Sequence, residues 1–231
     1  MNLVLDIGNT AVKWATFEGA ALTDHGHGMP DGLLTKADRV LACASGAADT
    51  SLPLLTSATL LPIRLDYKTP DTLGPDRVAA ACGAWALHPG EDCLVVDAGT
   101  CITVDFIDVK GVYHGGAILP GIGMGLKALH TFTARLPLVG IEAGRKAPVL
   151  GRSTEECIVA GTLGAATLAL AGYVALYRQR CPDLQVLLTG GDAPLLAAQG
   201  GDGWHHIPLL TLIGLNAILE TQDQAQSQLQ S

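Results

Sequence analysis

Short apolar runs alternate along the chain with turns rich in Gly, Pro and Asp, a rhythm that predicts buried strands interleaved with helices. Residues 3–7 read as a strand closing in Asp6-Ile7-Gly8-Asn9-Thr10, and residues 12–17 as a second strand after that tight polar turn. Residues 20–35 are Gly-rich and polar and give no assignment. Residues 39–44 and 62–67 look like short buried strands, with a helix over 52–60 between them. Pro70, Gly74 and Pro75 forbid regular structure over 69–75, so the Ala-rich run 77–87 predicts a helix with Asp76 at or just before its N-terminus.

After a break at Pro89-Gly90 the pattern starts again. Residues 93–96, 102–107 and 112–119 read as strands, with a turn at 108–111 joining the last two. Helices are expected over 124–135, 153–178 and 209–220, and a buried strand over 185–188 stops at Thr189-Gly190-Gly191-Asp192. The polar tail 222–231 is expected to fray. The restart is also a repetition: Leu3-Val4-Leu5-Asp6-Ile7-Gly8 aligns with Leu94-Val95-Val96-Asp97-Ala98-Gly99, 91 positions on. Two copies of strand-Asp-x-Gly-turn-strand imply two related domains, and the Glu91-Asp92 pair divides them into 1–90 and 91–231.

Composition narrows the class. With 231 residues, 48% hydrophobic and 16% charged, the chain has ample core material and is not intrinsically disordered. A formal charge of -8 argues against binding a nucleic-acid backbone, though a single phosphate pocket built from backbone N–H groups and a metal ion is still allowed. The six cysteines form no C-x-x-C pair, which argues against a zinc ribbon or a thioredoxin-type site, and no secretory leader opens the sequence, so a cytoplasmic location is expected. Residues 157–177 carry no charge and are long enough to cross a bilayer, but they are rich in Gly, Ala and Thr; a close-packed helix, with a homodimer partner covering part of it, is the expectation rather than a membrane span. His25-x-His27 and His205-His206 lack accompanying ligands at metal-binding spacing and read as surface or structural histidines.

The candidate chemistry lies in the turns. A carboxylate closing a buried strand, followed by Gly and a small polar residue, places a cation ligand beside N–H groups that a phosphate can approach. Asp6 with Gly8, Asn9 and Thr10, and Asp97 with Gly99 and Thr100, both have this form. Thr189-Gly190-Gly191 leaves bare backbone on which a base or ribose can lie. Asp76 reads either as a helix-capping carboxylate or as a base that takes the proton of an alcohol, and Arg77 as a solvated cation or as a partner for an anionic group.

Together the Asp6-x-Gly8-Asn9-Thr10, Asp97-x-Gly99-Thr100 and Thr189-Gly190-Gly191 turns resemble the phosphate and adenosine motifs of the acetate kinase, sugar kinase, Hsp70 and actin superfamily. Tyr67, Gly74-Pro75-Asp76-Arg77, Gly115-Gly116-x-Ile118-x-Pro120-Gly121, Leu136-Pro137 and Gly151-Arg152-Ser153-Thr154, in this order, are similar to the pattern of type III pantothenate kinases. The resemblance implies an α/β fold of duplicated ribonuclease H-like domains, with mixed five-stranded sheets flanked by helices and an ATP cleft between the domains. It further implies ATP contacts from Asp6, Ile7, Gly8, Asn9, Thr10, Ala11, Val12, Lys13 and Thr100, a monovalent cation (K+ or NH4+) at Asp97, and a divalent ion such as Mg2+ near Asp6. Tyr67, Gly74, Pro75, Asp76, Arg77 and Thr154 would line the pantothenate site, near a subunit interface, with Asp76 the catalytic base. Cys101 stands where Ala is more usual, and residues 20–35 match nothing in the pattern. The implied activity is ATP-dependent phosphorylation of pantothenate; a relative acting on another small alcohol or on polyphosphate, or a nucleotide-binding regulator without turnover, are the competing functions.

Overall fold

The computed structural model describes residues 1–46, 51–201 and 203–229. In chain order the elements are β1 (Asn2–Ile7), β2 (Val12–Glu18), β3 (Ala21–His27), α1 (Asp31–Leu34), β4 (Arg39–Ala44), β5 (Arg64–Leu65), a 3-10 turn (Pro70–Thr72), α2 (Pro75–Leu87), β6 (Cys93–Ala98), β7 (Cys101–Ile107), β8 (Val112–Pro120) and α3 (Ile122–Thr131). Then follow α4 (Thr154–Val159), a π-helical segment (Ala160–Gly164), α5 (Ala165–Arg178), β9 (Gln185–Thr189), α6 (Ala193–Gln199), β10 (Trp204–His206) and α7 (Leu210–Leu229).

The sheets hold four and six strands rather than five each, ordered β3-β2-β1-β4 and β10-β9-β6-β7-β8-β5. The expected strand over 62–67 supplies only Arg64–Leu65, and these pair with Val112 and Tyr113 of β8 instead of joining the first sheet. β1 lies between an antiparallel β2 and a parallel β4, and Leu3, Val4 and Leu5 are fully buried, which is why this strand is apolar on successive residues. β6 does the same in the second sheet: Leu94, Val95 and Val96 are buried, and β9 runs parallel to it. The polar stretch that gave no assignment forms the exposed edge strand β3, whose Thr, Asp and His side chains suit an edge facing water, followed by the short α1.

Other differences from the sequence reading have local causes. Residues 52–60 form no helix, because Pro53 lacks an N–H and the chain runs extended beside β4: Ala42 N donates to Pro53 O (2.8 Å) and Leu55 N to Ala42 O (2.7 Å). The polar tail does not fray at 222 but continues α7 to Leu229. Gln and Ala are good helix formers, and Arg39 anchors the segment by donating to Leu219 O (2.8 Å) and Gln222 Oε1 (3.1 Å) and by pairing with Asp223. α6 and β10 are additional short elements that the pattern did not announce.

The chain forms two compact units, Met1–Glu91 with Asp105–Gly115 and Leu209–Ser231, and Asp92–Val104 with Gly116–Pro208. They differ from the continuous halves 1–90 and 91–231, chiefly because α7 returns to pack on α2 and β1, burying Leu210, Leu212, Leu215, Ile218 and Leu219. In that contact an added Cβ on Gly214 would run into the Ala79 carbonyl oxygen, and one on Gly83 into that of Leu210, so both glycines are needed for the close approach of the helices. In the second unit Thr154–Arg178 is one continuous helix, long enough to cross a membrane, and an 18-residue stretch of it has mean hydropathy 1.8. Leu163, Leu170 and Val174 are buried, but Leu168 is 75% exposed and Leu176 61%, so the helix is less covered by its own chain than a core helix.

Candidate active site

Residues 6–13 form a hairpin. Asp6 faces Lys13 and Ile7 faces Val12 across β1 and β2, and Gly8 N donates to Ala11 O (3.0 Å), leaving Asn9, Thr10 and Ala11 exposed at the tip. A Cβ on Gly8 would stand 3.2 Å from Ala11 O, which explains the small residue where the chain turns back. The Asp6 carboxylate accepts from the Cys43 thiol (3.5 Å) on the neighbouring β4. Burial pushes the Asp6 carboxyl above its ordinary value, the Cys43 bond and the Lys13 charge oppose this, and the negative charge of Asp76 adds to it. The structure thus brings Asp6, Lys13 and Asp76 together within the first unit. Cys43, fully buried with its thiol pushed well up by burial, is a further member of this group.

Asp76 sits in the first turn of α2, which Gly74 caps and Pro75 opens. Pro at this position gives up an N–H that the helix would not have used. A Cβ on Gly74 would lie 2.6 Å from Asp76 Oδ1, so glycine is what lets this carboxylate turn back over the helix start. There it accepts from Arg77 N (2.9 Å) and sits at the positive end of the helix.

Arg77 is not a solvated cation: it is 8% exposed. Its Nε donates to both oxygens of Asp105 (3.1 and 3.2 Å) and its Nη2 to Asp105 Oδ1 (2.6 Å), while Tyr113 OH donates to that same oxygen (2.7 Å). Burial works against the guanidinium charge, but the Asp105 bonds and charge outweigh it, and the Tyr67 hydroxyl contributes further, so Arg77 holds its proton more firmly than usual. Burial, followed by the Asp105 charge, likewise keeps the Tyr113 phenol protonated. Tyr67 leans on Tyr113 with ring centroids 5.9 Å apart, and Gly115, at φ +83, makes room for it, since a Cβ there would come within 2.9 Å of the Tyr67 ring.

The second unit gathers the remaining turns around Asp97. Asp97 pairs in register with Thr189 on β9; Gly99 N donates to Cys101 O (2.9 Å), and Gly121 N to Thr100 O (3.2 Å). A Cβ on Gly121 would be 2.5 Å from Gly99 O, and one on Gly190, at φ +95, would be 2.5 Å from Asp97 Oδ1. The glycines of three separate motifs are therefore the contact points of one locus that holds Asp97, Gly99 and Thr100. Thr154 is the first residue of α4, exposed, after a Ser153 cap that accepts from Glu156 N (3.2 Å). Among the described residues no cluster of three or more His, Cys, Asp and Glu forms a metal site.

This architecture is that of the actin-like ATPase and sugar kinase class. Component A of (R)-2-hydroxyglutaryl-CoA dehydratase from Acidaminococcus fermentans superposes over 97% of this chain and 98% of its own (TM-score 0.54, 17% identity). A Campylobacter jejuni protein provisionally named a Baf family transcriptional activator superposes over 96% and 99% (TM-score 0.66, 23% identity). Sequence fixes the family. Residues 35–176 match the family described as type III pantothenate kinase. The type III pantothenate kinase of Bacteroides fragilis is 42% identical over 211 residues, 83% of this chain and 86% of its own, and that of Cytophaga hutchinsonii is 39% identical over 95% and 98%. The chain belongs to the type III pantothenate kinase family, and so to the phosphotransferases.

Proposed function

We propose that the chain transfers the γ-phosphoryl group of ATP to pantothenate, giving 4'-phosphopantothenate and ADP, the first step toward coenzyme A, with Asp76 as the general base. The placement of Asp76 carries this reading: its carboxylate is turned over the start of α2, near Asp6 and next to an Arg77 held firmly in place. A primary alcohol is a poor nucleophile in water. As its oxygen bonds to the γ-phosphorus, its proton passes to Asp76 and the bond to the ADP oxygen breaks in line. Within the first unit, Arg77, Tyr67, Gly74 and Pro75 would receive pantothenate and residues 6–13 would receive ATP; the resemblance assigns Thr154 to pantothenate and Thr100 to ATP.

Asp6 and Asp76 are hard oxygen donors that repel one another, with the Cys43 bond and the Lys13 charge acting in favour of the Asp6 carboxylate, and a divalent cation such as Mg2+ suits such a pair. When bound, it would draw charge from the phosphate oxygens. Asp97, with the carbonyl-lined turn at Gly99 and Thr100, suits a larger, weakly hydrated cation such as K+ or NH4+. A cytoplasmic location suits a phosphotransferase of this family, whose substrates are ATP and a small metabolite. The exposed Leu168 and Leu176 of α5 support a homodimer, because a second copy of the same helix would cover them. Light scattering at micromolar concentration is expected to give twice the chain mass, and an active monomer would refute the dimer.

An assay of ADP release with pantothenate, against a panel of other small alcohols, tests the reaction. Asp76→Asn is expected to lower kcat by about 10²–10⁴-fold with the fold intact. Wild-type kcat in that variant would remove Asp76 from the mechanism. Turnover of another alcohol in preference to pantothenate would move the assignment to a different acceptor, and nucleotide binding without turnover on any would favour the regulator.

A further inference from the structure

We propose that Asp105 and Tyr113 are positioning residues for substrate recognition: they grip one edge of the Arg77 guanidinium so that its other edge is presented, in a fixed orientation, to the carboxylate of pantothenate. This rests on the pantothenate reading above. Arg77 has five N–H donors in a rigid fork, and Asp105 takes the Nε edge with three contacts between 2.6 and 3.2 Å. The contacts of Asp105 are with Nε and Nη2, and the Tyr67 hydroxyl also acts on the guanidinium.

Stability is a poor explanation for this pair. Asp105 is 1% exposed, and a buried ion pair loses in desolvation much of what it gains in attraction. What the arrangement does supply is direction. Tyr113, fully buried, fixes Asp105 by donating to Oδ1, and Tyr67 packs on Tyr113, so the four side chains are one continuous network. At the other end, the Arg77 amide is tied to the Asp76 carboxylate. A bidentate contact between guanidinium and carboxylate is strongly directional, so an Arg anchored in this way registers the far end of the substrate against the base.

The substitution that separates this role from a structural one is Asp105→Asn. The amide oxygen can keep the Oδ1 bonds from Arg77 Nη2 and Tyr113 OH, but the NH2 that replaces Oδ2 sets donor against donor at Arg77 Nε, and the charge that held the guanidinium is gone, so its seat is loosened. Loss of that neutralising charge by itself would draw an anionic substrate in more strongly. The two consequences have opposite signs, which makes the measurement decisive. The readout is kcat/KM for pantothenate relative to pantothenyl alcohol, the uncharged analogue with the same phosphate-accepting hydroxyl. Positioning predicts that Asp105→Asn raises KM for pantothenate and cuts this ratio by about 10–100-fold, the loss expected for a charge-assisted bidentate contact. KM for ATP should change by less than about threefold, and in an Arg77→Ala background Asp105→Asn should alter the ratio no further.

Tyr113→Phe, which removes one bond and little volume, should lower the ratio in the same direction by a smaller factor and provides the test if Asp105→Asn does not fold. An unchanged ratio in a folded variant, a lower KM for pantothenate, or an equal fall for both substrates would overturn the proposal. A wild-type enzyme that phosphorylates neither compound would instead overturn the pantothenate reading on which it rests.

Discussion

The α2–α7 contact gives a prediction whose sign is opposite to what helix propensity alone would say. Gly214 lies in α7, and Gly→Ala in an exposed helix interior gains about 1 kcal/mol. Here the new methyl would overlap the Ala79 carbonyl oxygen and stand 2.6 Å from Gly83 N and 2.7 Å from Ala79 C. All three are backbone atoms, so no side-chain rotation relieves the clash and the helices themselves must part. Overpacking costs about 1–3 kcal/mol, and rigid backbone places this site at the upper end; less the propensity gain, the net loss is about 2 kcal/mol. For a chain of this size that lowers Tm by about 4–8 °C.

The assay is thermal unfolding followed by circular dichroism, with Gly123→Ala as control. Gly123 is in α3, exposed, and a Cβ there meets nothing within 4 Å, so the control should melt at or slightly above the wild type. Because α2 carries Pro75, Asp76 and Arg77 at its start, Gly214→Ala should also depress kcat at temperatures where it is folded; a 1 Å misplacement can cost about 10²-fold. A Gly214→Ala protein that melts at or above the wild type would refute the close-packing argument.

Asp108 accepts from Lys110 N (2.9 Å), Val112 N (3.0 Å) and His114 Nε2 (2.9 Å), and although burial raises its carboxyl pKa, the His114 and backbone bonds outweigh that and hold it below 3.8. A depressed carboxyl stabilises the fold above the unfolded-state value and loses that contribution as pH falls through the folded one, so the gap in urea midpoint between wild type and Asp108→Asn should close below about pH 4; a gap independent of pH would contradict this. Gly190→Ala, strained at φ +95 and driven against Asp97 Oδ1, should raise the K+ concentration for half-maximal activity by about tenfold or more at constant ionic strength, from roughly 1–3 kcal/mol of strain at the cation ligand; an unchanged K+ profile would separate Asp97 from the cation.

Much of the fold was legible because its buried strands are short apolar runs punctuated by Gly and Asp. β1, β4, β6 and β9 are buried on both faces, and their sequences state it without reference to any partner. Residues 52–60 misled because four leucines in a short span resemble a helix face, whereas Pro53 and the hydrogen bonds of β4 hold the chain extended. β3 was hidden by its position: an edge strand facing water carries polar side chains, and its strand character comes from pairing with β2. The length of α7 was hidden in the same way, since the cation that anchors its tail is Arg39, far off in sequence.

The site divides along the same line. Asp6, Asp97 and the glycines could be read from sequence because each answers a local demand: a carboxylate at a strand end, or bare backbone where two turns meet. Asp105 and Tyr113 answer a demand made elsewhere in the chain. Each lies inside a strand, and Asp105, a single polar residue between Val104 and Phe106, has the pattern that ordinarily marks a face turned to water. Asp105 is buried only because Arg77, 28 residues earlier, supplies the opposite charge, and Arg77 in turn is buried only because Asp105 receives it. Neither residue alone predicts the pair, since each by itself is cheapest in solvent. A reciprocal burial of this kind can be read only once both strand and helix are in place, and such a pair escapes a reading by local motif.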